Sequence, residues 1–410
     1  MALIDTFLNR LVKRGTLTLT DHDGSVRSFG TPDPEFRDVA IRFTTRGTGR
    51  YIASHPRLGA AETFMDGRMV IERGDILDLI TLIRKNNPWH KGRDLEIPNP
   101  ARRTLSAAIS RLSRLNWESR SKRNVAHHYD LGNALYELFL DDDLQYSCAY
   151  FTDADNSLEQ AQEDKKAHIA AKLYLQPGQR VLDIGCGWGG MALYLHRHFD
   201  VDVLGVTLSE EQLALARKRA AEAGVSDRVK FELIDYRHVT GKFDRIVSVG
   251  MFEHVGPPHY RAFFRTCHNL LTEDGVMLIH TIGRFGGPGT TDAFTRKYIF
   301  PGGYIPALSE VQAASEQNRL MTTDVETLRV HYALTIRHWY QRCEANRERI
   351  VALYDERFFR MWQFYLAGAI STFEYGGMGN YQFQYAKRRE VLPLTRDYIG
   401  QIEKQVHRTP

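Results

Sequence analysis

The chain has 410 residues, 43% of them hydrophobic, and its 54 basic and 50 acidic side chains leave a formal net charge of only +4. That length suits two domains that each bury a core, and a charge so near balance argues against a general nucleic-acid binder. No run reaches the roughly 18 consecutive apolar residues of a spanning helix. Cys148, Cys186, Cys267 and Cys343 lack the C-x-x-C spacing of structural zinc or of a disulfide framework, so no metal is expected and a reducing cytoplasm fits.

Along the chain, Leu3, Ile4, Phe7, Leu8 and Leu11 share one helical face, without the long apolar core and small-residue cleavage site of a signal peptide. From 15 to 85 the pattern is α+β. Leu17 to Leu19 alternates, Asp23-Gly24 marks a hairpin turn, Val39 to Phe43 and Met69 to Ile71 read as strands, and Asp75 to Ile83 as a short helix. Pro88, Gly92, Pro98 and Pro100 then punctuate a linker. Beyond it, Leu105, Ala108, Ile109, Leu112 and Leu115 recur at helical spacing with arginines between them. Between Arg84 and Arg123 the basic side chains, among them Arg111, Arg114, Arg120 and Lys122, face only Asp94, Glu96 and Glu118 as acids. Such a stretch attracts anionic headgroups or is a solvated linker face. The expected division is an α+β domain over 1–86, a linker and basic amphipathic helix over 87–120, and a second domain over 121–410.

In that last part strands and helices alternate, with strands at Val181 to Ile184, Val201 to Val206, Val229 to Ile234, Arg245 to Val249 and Val276 to His280. The pattern predicts a doubly wound, mostly parallel sheet of the Rossmann-like kind. The first strand runs into Gly185-Cys186-Gly187-Trp188-Gly189-Gly190, whose glycines let backbone approach a ligand. The G-x-G-x-x-G spacing alone admits either NAD or S-adenosylmethionine. An NAD site calls for an acidic residue near the end of the next strand, about 20 residues on, yet that strand ends in Thr207-Leu208-Ser209. Asp183, two residues before the first glycine, completes the D-x-G-x-G pattern of methyltransferases instead. Gly283 to Gly289 is glycine-rich and follows a strand, which makes it a lid or a plain connection.

Several further segments then fall in order: Tyr146-Ser147-Cys148-Ala149-Tyr150-Phe151, Gly205-Val206-Thr207-Leu208-Ser209 with Gln212, Asp235-Tyr236-Arg237, and Ser248 to Gly256. His280-Thr281-Ile282-Gly283 and Tyr298 to Gly303 complete the set. Together they resemble the cyclopropane-fatty-acyl-phospholipid synthase and mycolic acid cyclopropane synthase family. The resemblance covers roughly residues 120 to 400, and Met65-Asp66-Gly67-Arg68 is similar to the amino-terminal domain of long bacterial members, related to sterol-carrier lipid-binding folds. That domain is then a lipid-engaging or dimerising module, with a homodimer as a candidate assembly.

The resemblance implies S-adenosylmethionine as cofactor and the cis double bond of an unsaturated acyl chain as nucleophile. The implied surroundings are an anionic phospholipid bilayer surface, met peripherally on the inner face of the membrane. Tyr146 and Ser147 would hold the methionyl end, Thr207 and Gln212 the ribose, and Asp235 and Tyr236 the adenine. Asp183, Gly185, Gly187, Gly189 and Gly250 would complete the cofactor site. Loss of a proton from the transferred methyl closes the ring, and in the family a bound bicarbonate is the base. Its holders map onto Cys148, Glu253, His280, Tyr332 and the backbone carbonyl of Ile282. Trp362, Tyr365, Leu366, Ala369 and Ile370 form a helical stripe that is core by default and a candidate acyl-pocket lining by resemblance. Some members carry a cysteine where this chain has Ala369, so a covalent route through that position is excluded. The competing readings are a coclaurine-type N-methyltransferase, lipid C-methylation without ring closure, and a lipid carrier that has lost catalysis. A DNA amino-methyltransferase fails because Gly256 stands where an Asp or Asn must precede Pro257-Pro258.

Overall fold

A computed structural model describes residues 3–92 and 132–406. The basic stretch and the amphipathic pattern around Leu105 to Leu115 lie almost wholly outside the described residues. The chain forms two compact units, the first comprising the N-terminal segment with Thr291–Pro301 and Ile336–Gly377, the second holding the rest. No described helix is long and apolar enough to cross a membrane.

In the first unit, β1 (Leu17–Thr20), β2 (Val26–Phe29), β3 (Val39–Phe43) and β4 (Met69–Arg73) form a sheet in the order β2-β1-β3-β4. The Asp23-Gly24 turn closes the β1–β2 hairpin, with Gly24 at φ 84°. Leu17, Leu19, Ile41 and Phe43 alternate into the core as period-2 patterning requires. After α1 (Leu3–Leu11), α2 (Thr48–Ser54) and α3 (Gly59–Met65), α4 (Ile76–Asn86) opens on a capping box. The Asp75 carboxylate accepts the Asp78 N–H at 2.7 Å, and Asp78 accepts that of Asp75 at 3.3 Å. The helix outruns the expected Ile83 by three residues.

Against α3 and α4 packs the helix Glu356–Tyr375, which carries the aromatic stripe. Trp362, Leu366 and Ile370 are buried there, while Tyr365 and Ala369 are partly exposed. Arg357 pairs with Asp66 at 3.0 Å, and Glu62 accepts from Lys297 at 2.8 Å and from the Tyr298 hydroxyl at 2.9 Å. The unit therefore differs from the expected 1–86 domain by recruiting two later segments. A small sheet with four short helices leaves apolar helix faces that a 20-residue amphipathic helix covers.

In the second unit, seven strands follow the order β10-β11-β9-β8-β5-β6-β7. These are β5 (Arg180–Ile184), β6 (Asp202–Thr207), β7 (Val229–Leu233), β8 (Phe243–Val249), β9 (Leu271–Arg284), β10 (Met321–Leu328) and β11 (Met378–Ala386). All five expected strands are present. β11 runs antiparallel to both neighbours, making an otherwise parallel sheet mixed. β9 reaches Arg284, so Gly283 and Arg284 pair with Gly379 and Met378 and belong to the sheet rather than to a connection.

β11 is two-sided. Tyr381, Phe383 and Tyr385 enter the apolar core on one face, while Asn380, Gln382 and Gln384, also buried, occupy the other. Buried polar positions recur on the helix Leu158–Leu173 (α5), where Gln162, Asp164, Lys165, Lys166, His168 and Lys172 are all inside. Gln384 donates to the Lys172 carbonyl, and His168 lies between Glu326 and Glu403. The result is a polar layer beneath the sheet.

Candidate active site

The strand order reverses direction at β5, between β6 and β8, and there the carboxyl ends of an open α/β sheet leave a crevice. The loop after β5 turns through Gly185, Gly187 and Gly189 at φ 84°, 54° and 85° before the helix Gly190–Phe199 begins. Their roles differ. A Cβ on Gly185 would meet the Met251 Cβ at 2.7 Å, and one on Gly189 would meet Phe231 Cζ at 2.7 Å, whereas one on Gly187 would meet nothing within 4 Å. Gly187 is thus the residue whose bareness leaves open space. Gly189 serves packing instead of lining the cavity.

The cavity is lined by Gly185 and Gly187 after β5, Thr207 and Gln212 after β6, Asp235, Tyr236 and Arg237 after β7, and Gly250 and Met251 after β8. Ser209 caps the helix Glu210–Glu222 by accepting the Gln212 N–H at 3.3 Å, and the Thr207 hydroxyl donates to Gln212 Oε1 at 3.2 Å. This couples the two residues assigned to a ribose. Asp235 accepts from Arg237 Nε at 2.8 Å and Nη2 at 2.5 Å, a fork that holds its carboxyl below the ordinary range against the opposing effect of burial. Arg237 was only part of a motif in the sequence. Here it fixes the acid.

Tyr146 and Ser147 do not line this cavity. Tyr146 packs edge-on to Tyr136 with ring centroids 5.2 Å apart, and Ser147 accepts from Lys165 Nζ at 2.9 Å. Asp183 lies beneath the loop, wholly buried, with Oδ2 meeting no partner, and burial pushes its carboxyl up to about 7.

The five residues assigned to an anion sit in the second unit. The Ile282 N–H donates to Glu253 Oε1 at 2.7 Å, and the Ile282 carbonyl accepts from the Thr281 hydroxyl at 3.1 Å. Glu253 Oε2 is shut from solvent without a partner, and burial raises that carboxyl to about 7. His280 is buried, which drives it far below the ordinary imidazole range and keeps it neutral. Its Nε2 lies 2.6 Å from the Asn380 amide nitrogen and its Nδ1 lies 3.1 Å from that of Gln382. A neutral ring offers one N–H and one lone pair, so one amide must turn its oxygen inward. Neither Asn380 nor Gln382 was anticipated, because the Asn-Tyr-Gln-Phe-Gln run was not read as part of the sheet and uncharged amides carry no catalytic signal of their own. Burial likewise raises the Cys148 thiol and keeps it protonated, with its Sγ 3.3 Å from the Ala149 carbonyl. Tyr332 is buried on the first turn of the helix His331–Ala345, near Thr335, which accepts the Ala149 N–H at 3.0 Å. Among the described residues no cluster of His, Cys, Asp or Glu could hold a metal ion.

The family model of mycolic acid cyclopropane synthetase matches residues 117–383, about two thirds of the chain. The chain belongs to that family. Among curated relatives of this chain, a probable fatty acid methyltransferase of Pseudomonas putida is 42% identical over 285 residues, 67% of this chain and 72% of that protein. The cyclopropane-fatty-acyl-phospholipid synthase of Escherichia coli K12 is 41% identical over 316 residues, 77% of this chain and 79% of that one. Among solved structures, the mycolic acid cyclopropane synthase CmaA1 complexed with SAH and CTAB is 36% identical with a TM-score of 0.61, covering 64% of this chain and 97% of that one. The second unit is accordingly an S-adenosylmethionine methyltransferase fold.

Proposed function

We propose that this enzyme transfers a methylene from S-adenosylmethionine to the cis double bond of an unsaturated acyl chain in a membrane phospholipid, forming a cyclopropane ring. The observation that carries the reading is Glu253, a buried carboxyl raised to about 7 with one oxygen on the Ile282 N–H and the other unpartnered, beside the cofactor crevice. An amine substrate must also lose a proton and could use the same carboxyl, so the preference for a lipid substrate is supported by the 41% identity to a cyclopropane-fatty-acyl-phospholipid synthase over 77% of the chain.

The cavity fits the cofactor: backbone at Gly185 and Gly187, the Thr207–Gln212 pair, and the Arg237-held carboxylate of Asp235 offer acceptors and donors on separate loops. S-adenosylmethionine would supply an electrophilic methyl carbon to the alkene π pair, with a neutral thioether as leaving group, and ring closure would then require loss of one proton from that methyl. Cys148, Glu253, His280, Tyr332 and Ile282 would hold a bicarbonate, which supplies the proton acceptor. Glu253, poised near neutrality, accepts or donates a hydrogen bond according to its own protonation. To join such a set, His280 must give up one of its two amide partners. Burial of Cys148, His280 and Tyr332 helps exclude water that would otherwise trap a cationic carbon.

The deciding experiment incubates the protein with labelled S-adenosylmethionine and vesicles of unsaturated phospholipid and weighs the acyl chains. A gain of one CH₂ with loss of alkene reactivity is expected. Gain of a methyl branch with hydrogenation or with the alkene retained would favour C-methylation without ring closure, and the Pseudomonas relative is named a probable fatty acid methyltransferase; label entering only soluble amines would overturn the lipid reading.

A further inference from the structure

The cofactor loops and the proton chemistry leave one buried charge unexplained. Lys165, on α5, is fully buried, and its Nζ donates to Gln145 Oε1 at 2.6 Å and to Ser147 Oγ at 2.9 Å. Both acceptors are neutral. Among the described residues no carboxylate forms an ion pair with it, whereas its neighbour Lys166 has Asp143 at 2.7 Å. A buried ammonium without a counter-charge is costly, and burial accordingly lowers Lys165 to about 8, opposed chiefly by the more distant Asp141.

Its field reaches the side chains assigned to the anion. Burial dominates at both Cys148 and His280, but the Lys165 charge acts on each, favouring the thiolate of the first and the neutral ring of the second; Lys172, His168 and His331 act with it on His280, and Lys165 is the charge common to both. None of the groups in direct reach of that anion is a cation: they are a protonated thiol, a neutral imidazole, a phenol, a peptide group and a carboxyl. An anion held in a dry site by these alone would be uncompensated.

We propose that Lys165 is the positive charge that makes the Cys148–His280 region an anion site, a positioning residue that acts through space and through the 145–148 segment it tethers. The inference rests on the reading of those residues as a bicarbonate site. Two variants remove the charge: Lys165→Met removes the hydrogen bonds with it, while Lys165→Gln, one atom shorter than lysine, keeps an amide donor for Ser147 or Gln145.

The experiment titrates ¹³C-bicarbonate into the full-length protein saturated with S-adenosylhomocysteine and follows binding by NMR, with S-adenosylhomocysteine affinity and the unfolding midpoint measured alongside. Both variants are expected to weaken bicarbonate about tenfold or more, ~1.4 kcal/mol, while Lys165→Gln keeps S-adenosylhomocysteine affinity within about twofold. Should Lys165→Met fail to fold, Lys165→Gln decides alone. Unchanged bicarbonate affinity in a folded variant overturns the inference. So does a loss confined to S-adenosylhomocysteine, which would assign the charge to the methionyl carboxylate. Absence of bicarbonate binding in the unaltered protein would sink the anion-site reading itself, and this inference with it, before any variant is made.

Discussion

Replacing Glu253 by Gln separates what the carboxyl does for chemistry from what it costs the fold. A carboxyl moved from its ordinary 4.5 to about 7 by burial carries roughly 3 kcal/mol against its ionised form. The sign follows from linkage: the folded state binds this proton more tightly than the unfolded chain. The group's contribution is therefore fully present below about 4.5 and lost as pH rises through about 7. Gln keeps an oxygen for the Ile282 N–H but cannot ionise. Its extra amide donors impose a fixed penalty of about 1–3 kcal/mol at every pH, because Oε2 has no partner to offer them. The difference in unfolding free energy between variant and parent should consequently move by about 2–3 kcal/mol in the variant's favour between pH 5 and pH 8. Denaturant titrations at a series of pH values measure it, and other titrating groups cancel in the comparison. Turnover should fall by about 10² or more, the scale of a lost general base or its partner, with S-adenosylmethionine affinity retained. A pH-independent difference would refute the claim that Glu253 is an uncompensated buried acid, and normal turnover would remove it from the proton path.

Gly185→Ala should lower both stability and cofactor affinity, since its Cβ would press on Met251 at a left-handed φ. Gly187→Ala, with nothing within 4 Å, should cost only about 1 kcal/mol of backbone strain while still obstructing the cofactor; calorimetry against unfolding curves separates the two. Arg237→Ala should strand the buried Asp235 carboxylate, lowering the unfolding midpoint and weakening S-adenosylhomocysteine by about tenfold. Replacing Arg111, Arg114, Arg120 and Lys122 by Gln should reduce sedimentation with anionic vesicles and flatten its salt dependence, leaving cofactor affinity intact; unchanged sedimentation would return that stretch to a solvated linker.

Much of the parallel sheet was legible because its strands are buried on both faces and spelled by apolar runs such as Val181-Leu182 and Val201 to Val206. β10 and β11 were not. Met321–Leu328 carries Thr, Asp and Glu at the positions where an apolar signal is sought, and β11 alternates aromatic with amide side chains. Such amides are ordinarily solvated, but the fold buries all three, Gln384 on the Lys172 carbonyl of α5 and the other two on His280. The glycine loop was legible since backbone at positive φ needs glycine, but the sequence could not separate Gly187, which opens space, from Gly189, which admits Phe231. Lys165 carried no signal whatever, because lysine is presumed solvated until its neighbours are known.

That buried polar layer also explains why the proposed chemistry sits where it does. β8 and β9 pair Val249 with His280, and the Gly250 N–H donates to the His280 carbonyl at 2.9 Å, so the strand that closes the cofactor cavity is stitched to the one carrying the imidazole. On its far side His280 meets Asn380 and Gln382 from β11, whose Oδ1 and Oε1 atoms have no partner. Two unsatisfied amide oxygens in a dry interior are expensive unless turning one amide, or admitting a polar ligand, satisfies them. Which amide turns decides which ring nitrogen carries the proton, and hence what His280 can offer to an anion. The polar residues that β11 buries in the core thus bear on the proton position at the site, while its aromatic face supplies the packing that holds it.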